Sequence, residues 1–499
     1  MTLFATSGTD TRLRRLAEHG KLRRIYRGIY TDDLITPIET QVRRELFALC
    51  AALAPGAVIS HRSALEARPT PGGNFFLTGI YRRDLRLPSV TMRITEGPAP
   101  LPSDARIPTF LGDTYNASWA RALLENLTES RGDPAERRTL GRAGVEAWLD
   151  RLIARDIDLQ QVNGLRDQAR EIAEPLGLQE QFKSLDQTIG ALLGTRKASN
   201  LTTRVARARA TGRPYDAQRL ELFNTLASYL NEHPLIVPAA DSNADPQLQA
   251  FVESYFSNYI EGTEFEIEEA HDIVVKGRPL KYREDDSHDI LGTHRAILES
   301  KAMPRIAQSY EEFVERLRHF NRQVIESRVD KQPGEFKTQA NRAGNTYFVA
   351  PDLVLGTLER GFELIMAAGT PANKAALAMF VVVEVHPFTD GNGRSARVLM
   401  NEYLSAAGLT RIIVPTVYRD DYISALKALS SNAHPVPYDR MLTRAARFSR
   451  WIDFSKREAC FKSLKDSNAM EQPQDAKLKF DYAGTAAGYA VETGPQGGD

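Results

Sequence analysis

The sequence predicts a multidomain, mainly α protein: an all-helical core in the C-terminal half with a small β-hairpin flap, preceded by an α+β module. Three observations predict it. The 499 residues exceed what one ordinary hydrophobic core fills. From residue 108 onward, apolar side chains recur mostly at three- and four-residue steps, the period of a helix face. The alternating stretches RRIYRGIYT, NFFLTGIYR and SVTMRIT, which read as strands, cluster in the first hundred residues.

Bulk composition narrows the class. Hydrophobic residues make up 42% and charged residues 26%, a globular balance. Lys+Arg and Asp+Glu are both 64, so net charge argues neither for nor against a nucleic-acid partner. Cys50 and Cys460 lie far apart, which excludes a disulfide scaffold and fits a reducing compartment. The start has no apolar core of secretion-signal length, and no run is long enough to span a bilayer. The expectation is a cytoplasmic protein with no membrane partner.

The first module is expected over 1–107. TRLRRLAEH reads as a short helix ending near Gly20, and residues 39–54 as a helix stopped by Pro55-Gly56. AVISHRSALEA reads as a turn entering another helix. Helices, one tight turn and a small sheet in this order suit a winged-helix-like regulatory module. Arg12, Arg14, Arg15, Lys21, Arg23, Arg24 and Arg27 make its start basic, able to hold phosphate oxygens. Candidate DNA contacts are Arg23, Arg24, Arg27 and Arg62, with Arg43, Arg44 and His61 extending the patch and the helix near ISHRSALEA entering a groove. A solvated basic face, or one that docks on the acidic stretch 253–272, is the alternative. Through KLRRIYRGIYTDD and PGAVISHRSALEA the region resembles AbiEi-type antitoxins and related transcriptional regulators, which implies double-stranded DNA as a partner.

Residues 108–237 read as a helical connector or interaction domain without a chemical constellation, closed by the loop PAADSNADPQ at 238–247. The pattern from 248 to 455 is again helical. The segment 462–499, rich in Gly, Pro, Gln, Asp and Ala, is expected to be a flexible tail.

The chemistry concentrates in HPFTDGNGRSAR, His386 to Arg397. The apolar run ALAMFVVVEV enters it, Pro387 ends that helix near His386, and SARVLMNEYLSAAG reads as the next one. A glycine-rich loop opening a helix forms an anion nest of backbone N–H groups. Asp390 offers a hard oxygen ligand for Mg²⁺. Arg394 and Arg397, three apart, share a helix face and can hold phosphate oxygens with their planar forks. His386 can exchange a proton near neutral pH. Each group alone is weak: a His beside Pro can cap a helix, and Gly-Asn-Gly is often only a turn. In this order they suit phosphoryl or nucleotidyl transfer.

The loop matches the Fic signature His-Pro-Phe-x-Asp-Gly-Asn-Gly-Arg-x-x-Arg at every specified position, and the resemblance extends over about 245–455. It implies a protein adenylyltransferase that moves AMP from ATP to a Ser, Thr or Tyr hydroxyl and releases pyrophosphate. By resemblance, His386 deprotonates the target hydroxyl, and Asp390 holds Mg²⁺, with Mn²⁺ as a substitute. Gly391, Asn392 and Gly393 cradle phosphates, the Asn392 side chain facing them. Arg394 stabilises the leaving pyrophosphate and Arg397 binds the γ-phosphate.

Upstream, SNYIEG (Ser257 to Gly262) matches the Ser-x-x-x-Glu-Gly inhibitory motif of the family. That match implies that Glu261 pairs with Arg397 and displaces the γ-phosphate, with Ser257 steadying the helix before it. Without the loop, the run Glu253, Glu261, Glu264, Glu266, Glu268 and Glu269 would read as a solvated face.

PGEFKTQANRAGNTYFVAP, 333–351, reads as a hairpin and connecting loop. Resemblance makes it a flap that pairs with the target backbone through Gly334, Phe336 and Lys337, where Lys337 replaces the usual Arg and loses its fork. Asn401 and Tyr403 are further candidates for a base pocket.

The leading expectation is an autoinhibited, Mg²⁺-dependent adenylyltransferase acting on a protein hydroxyl, its own included. One alternative is removal of AMP, with Glu261 positioning a water. Another is a DNA-binding, antitoxin-like regulator with a degenerate core. A second copy of the chain could cover Glu261 in a homo-oligomer.

Overall fold

The computed structural model describes residues 3–5, 11–153, 159–344 and 346–481. It divides into two compact units, Met1–Pro214 and Tyr215–Asp499.

The first unit opens with β1 (Leu3–Ala5), α1 (Thr11–Glu18), β2 (Arg23–Tyr26) and β3 (Ile29–Thr31), a three-stranded sheet in the order β1-β3-β2. Then follow α2 (Ile38–Arg44), α3 (Leu46–Leu53), β4 (Val58–Ile59), α4 (His61–Glu66), β5 (Asn74–Gly79), β6 (Arg83–Leu87), β7 (Val90–Glu96), β8 (Ala105–Thr109) and β9 (Gly112–Asn116). These strands form a six-stranded sheet in the order β6-β7-β5-β4-β9-β8. The β5–β7 and β4–β9 pairs are parallel. Alternate residues of β5 and β7, among them Phe75, Leu77 and Met92, bury against Val42, Leu46 and Leu49 of α2 and α3. α5 (Trp119–Asn126), α6 (Gly141–Ile153), α7 (Leu159–Ala173), α8 (Gln179–Leu192) and α9 (Arg204–Ala210) close on a second core that includes Leu123, Leu149, Val162 and Ile189.

Three expectations change here. The sheet is six-stranded and mixed and runs past residue 107, so the winged-helix-like boundary at 107 does not hold. The helices after it belong to the same compact unit rather than to a separate connector. α4, expected to enter a groove, is buried from His61 to Ala64.

The second unit comprises α10 (Ala217–Glu232), α11 (Pro246–Ile260), α12 (Ile267–Lys276), α13 (Glu284–Ala302), α14 (Tyr310–Val324), the hairpin β10 (Arg342–Ala343) and β11 (Thr346–Tyr347), α15 (Val354–Ala367), α16 (Pro371–Val385), α17 (Asn392–Ala406), α18 (Arg419–Asn432), α19 (Val436–Trp451) and α20 (Arg457–Asp466). α16 is apolar around its whole circumference, as suits a helix surrounded by others, and it is buried from Ala375 to Val382. Thr370 caps its start through a 3.1 Å bond from the Asn373 N–H, with Pro371 in the first turn. Asp245 caps α11 in the same way, accepting from Gln247 and Leu248. α13 crosses α14 closely at Gly292, where a Cβ would collide with the Gln323 carbonyl oxygen.

α10 falls in this unit, which moves the expected boundary from 237 back to 214. The expected flexible tail from 462 is also corrected. Cys460, Leu464, Ala469 and Leu478 bury with Phe251 and Phe448 in one core, so hydrophobic anchors hold this stretch to at least residue 478. Residues 482–499 of that tail lie outside the described residues. Among the described residues, no helix is long and apolar enough to cross a membrane.

Candidate active site

α16 ends at His386, which takes the left-handed conformation (φ 52°, ψ 58°), and Pro387 behind it cannot continue the helix. α17 begins six residues later, at Asn392. Between them the loop is knitted from inside. The Asn392 side chain accepts from the Phe388 N–H at 2.9 Å and donates to the Phe388 carbonyl at 2.9 Å. This corrects the expectation that the Asn392 side chain faces phosphate: its amide is spent on the loop's own backbone. Gly391 takes φ +75°, and a Cβ there would lie 2.9 Å from the Asn321 amide nitrogen and from Ile325. Asn321, on α14, donates to the Asp390 carbonyl at 2.8 Å and accepts from the Gly334 N–H at 2.9 Å, tying loop and flap base to one side chain.

The groups expected to act converge at the start of α17. His386 lies beside the Val383 carbonyl, with Nδ1 at 3.2 Å. Burial pushes its imidazole down to about 4, so it is neutral at pH 7. A neutral ring at that contact carries its proton on Nδ1 and leaves Nε2 as the basic edge. The Gly391 N–H donates to Asp390 Oδ1 at 2.6 Å, and the Asp390 side chain remains 38% exposed. Arg394 is 3% exposed, and its Nη1 meets Asp289 Oδ2 on α13 at 2.6 Å and Asn258 Oδ1 on α11 at 3.2 Å.

Arg397 is held from three sides. Its Nε donates to Ser257 Oγ at 3.0 Å, Nη2 to the Ser257 carbonyl at 2.8 Å and to Glu261 Oε1 at 2.7 Å, and Nη1 to the Tyr422 hydroxyl at 3.3 Å. Glu261 follows the last turn of α11, and Gly262 turns the chain away with φ +94°. Burial would raise the Glu261 carboxyl, but Arg397 and Arg394 outweigh it and hold the group below its ordinary value. A Cβ on Gly393 would collide with Glu261 Oε1, so that oxygen lies against the backbone where the anion nest opens.

The flap base departs from its expected role. Phe336 pairs antiparallel with Phe388, and the Lys337 N–H donates to the Pro387 carbonyl at 2.9 Å. Lys337 is buried, with Nζ bonded to Asn341 Oδ1 at 2.6 Å, and burial pushes its ammonium down to about 7. Gly334, Phe336 and Lys337 thus underlie the 386–397 loop, and the exposed residues of the β10–β11 hairpin include Thr346 and Tyr347. Asn401 and Tyr403 do not line a base pocket. Both are fully buried, and Asn401 is saturated by Glu253 and the backbone of Ile412.

In the first unit, Arg62 is no DNA contact: it pairs with Glu66 at 2.8 Å and donates to the carbonyls of Pro134, Ala135 and Arg137. Arg23 braces the carbonyls of Leu34 and Thr36, while Arg24 and Arg27 are exposed.

Asp289, Asn258, Asn321 and Tyr422 were not singled out from sequence. Asn258 lies inside SNYIEG and follows once Ser257 is placed; the other three carry no local signal, because their contacts cross between distant helices.

A Mg²⁺ site fits in one form only. Among the described residues, no group of three or more His, Cys, Asp or Glu side chains could hold a metal. A single half-exposed carboxylate at Asp390, beside an anion nest, suits Mg²⁺ carried mainly by phosphates and water.

Residues 313–404 match the Fic/DOC family. The protein adenylyltransferase fic-1 of Caenorhabditis briggsae is 26% identical over 181 residues, covering 35% of this chain and 36% of that one. The protein adenylyltransferase Fic of Drosophila grimshawi is 30% identical over 199 residues, covering 38% and 40%. The chain thus spans well under half the length of these curated relatives. A solved fragment of Fic-1 from Caenorhabditis elegans aligns with a TM-score of 0.36 and 18% identity, covering 64% of this chain and 98% of that one.

Proposed function

We propose that this chain, whose residues 313–404 match the Fic/DOC family, transfers AMP from ATP to a protein hydroxyl and restrains itself through Glu261. The observation that carries this is the 2.7 Å contact of Glu261 with Arg397 at the mouth of a complete loop. In the reaction, the target oxygen attacks the α-phosphorus. Its proton passes to His386 Nε2, and the bond from the α-phosphorus to the bridging oxygen breaks with its electron pair leaving on pyrophosphate. Nest N–H groups at the start of α17 orient the phosphates, and Arg394 offsets charge on the leaving group. Mg²⁺, held by Asp390 and phosphate oxygens, would supply further neutralisation of that charge. Arg397 is the cation suited to the γ-phosphate, and Glu261 occupies it.

The Glu261 side chain is 35% exposed, which also supports a second reading, in which it positions a water for removal of AMP. One experiment separates them. The chain, Glu261→Gly and Glu261→Gly/His386→Ala are incubated with Mg²⁺ and ATP labelled at the α-phosphate, with and without lysate proteins. Strong acid-stable labelling of protein by Glu261→Gly alone is expected. No labelling by any folded, ATP-binding form would overturn transfer and favour removal, in which Glu261→Gly abolishes activity.

A further inference from the structure

Phe348 follows the β10–β11 hairpin, and its ring lies on the imidazole of His386 with centroids 3.8 Å apart and planes 9° from parallel. Nothing in the expected chemistry asks for an aromatic there. Among the described residues, the other contact holding the ring is that of Nδ1 with the Val383 carbonyl at 3.2 Å, and rotation of a histidine ring about χ2 is broad. One contact fixes a point; a parallel ring fixes the plane, and with it the direction in which Nε2 faces.

The hairpin that carries Phe348 is itself fastened. The Phe348 N–H donates to the Asn341 carbonyl at 3.3 Å, and the Asn341 amide donates to the Phe388 carbonyl at 3.0 Å. On the far side, Arg219 of α10 donates from Nη2 to the Tyr347 carbonyl at 2.6 Å and pairs with Glu384, two residues before His386. Arg219 lies outside the segment that matches the family, 313–404.

Resting on the transfer reading above, we propose that Phe348 is a positioning residue for His386, and that Arg219 holds the hairpin so that the two rings stay parallel. The stack covers a face of the imidazole and not its edge, where Nε2 lies. Phe348 acts through His386 and needs no contact with ATP.

The test uses the full chain carrying Glu261→Gly, with lysate proteins and the chain itself as acceptors. Initial rates of labelling are measured against ATP concentration for Phe348→Leu, Phe348→Trp and Arg219→Ala. Phe348→Leu is expected to lower kcat by about ten- to a hundredfold, the scale of a small misplacement of a reacting group, with KM for ATP unchanged. Phe348→Trp restores most of the rate, because any flat ring sets the plane. Arg219→Ala lowers kcat in the same direction. A Phe348→Leu chain with unchanged kcat, a loss only in KM, or a Trp variant as slow as Leu would overturn the proposal. An activity-free readout runs beside it: in histidine-labelled chain, the His386 ring protons, assigned with His386→Gln, should be shifted upfield by the Phe348 ring and relax in Phe348→Leu. Absence of that shift also overturns it. If Glu261→Gly transfers no AMP while the shift is present, the transfer reading fails and takes the catalytic part of this proposal with it, whereas an active Glu261→Gly chain indifferent to Phe348 sinks this proposal alone.

Discussion

Replacing Glu261 by Gln or by Gly separates two ways in which the carboxylate could restrain Arg397. Gln keeps the volume and an acceptor oxygen but removes the charge; Gly clears the space as well. The charge-assisted bond at 2.7 Å is worth about 1.5–3 kcal/mol, and 35% exposure of the Glu261 side chain argues for the lower figure. An incoming γ-phosphate about 4 Å from the carboxylate would meet a repulsion of about 4 kcal/mol per unit charge at an effective dielectric near 20. Halving that for solvent screening leaves a total of about 3.5 kcal/mol, roughly a 300-fold rise in productive turnover for Gly. Most of this is electrostatic, so Gln should recover more than about tenfold. The assay is the initial rate of α-phosphate label entering protein at fixed Mg²⁺-ATP, with His386→Ala as the blank. Arg397 keeps Ser257 and Tyr422 in either variant, so both should fold. A Gln chain as silent as the parent beside an active Gly chain would refute the electrostatic account and leave a steric plug. Both at the parent rate would refute the brake.

Further predictions concern the rest of the site. Since burial lowers His386 from an ordinary 6.5 to about 4, its basic form persists until pH falls through about 4; transfer by Glu261→Gly should be level from pH 7 to 5, and a midpoint near 6.5 in a kcat profile would contradict it. The same shift makes the unfolded chain bind more protons than the folded one between those values, so this group's share of stability falls as pH drops from 6.5 towards 4, which acid titration of unfolding would register. Asp289→Asn leaves Arg394 and Arg328 without their shared carboxylate and should cost about 3–5 kcal/mol, read as a lower denaturation midpoint; an unchanged midpoint would show that water replaces the pair. Asn392→Leu forfeits both bonds to the Phe388 backbone and should lower the unfolding temperature by several degrees, at about 1–3 kcal/mol of unpaired backbone; no change would mean the loop is held elsewhere.

The helix–loop–helix at 386–397 was legible because its determinants are local: an apolar run, a proline and two glycines at fixed offsets. The pairing of Glu261 with Arg397 was legible only through a family pattern, since nothing in a run of glutamates distinguishes the one that reaches across the unit. Side-chain direction was the commonest failure. Asn392 turns inward to its own loop, Lys337 goes under the loop rather than out to a target, and Arg62 caps carbonyls of a later segment. Each is a polar residue whose usual place is the surface, drawn inside by polar partners that only the folded chain presents, backbone groups for Asn392 and Arg62 and the Asn341 side chain for Lys337. The six-stranded sheet was missed for a related reason: its parallel pairs join strands whose partners are set by topology and not by a turn.

One turn of α11 engages both arginines of the loop, Asn258 with Arg394 and Ser257 with Arg397, and Glu261 follows directly after it. An occupant joined to its site by the same chain has an effective concentration set by geometry alone. It is not diluted when the protein is scarce and not outnumbered when it is abundant, so resting restraint should be independent of expression level. Under the proposed brake, ATP would compete against a fixed opponent, and drawing the last turn of the helix away from those two cations would change the terms of that competition.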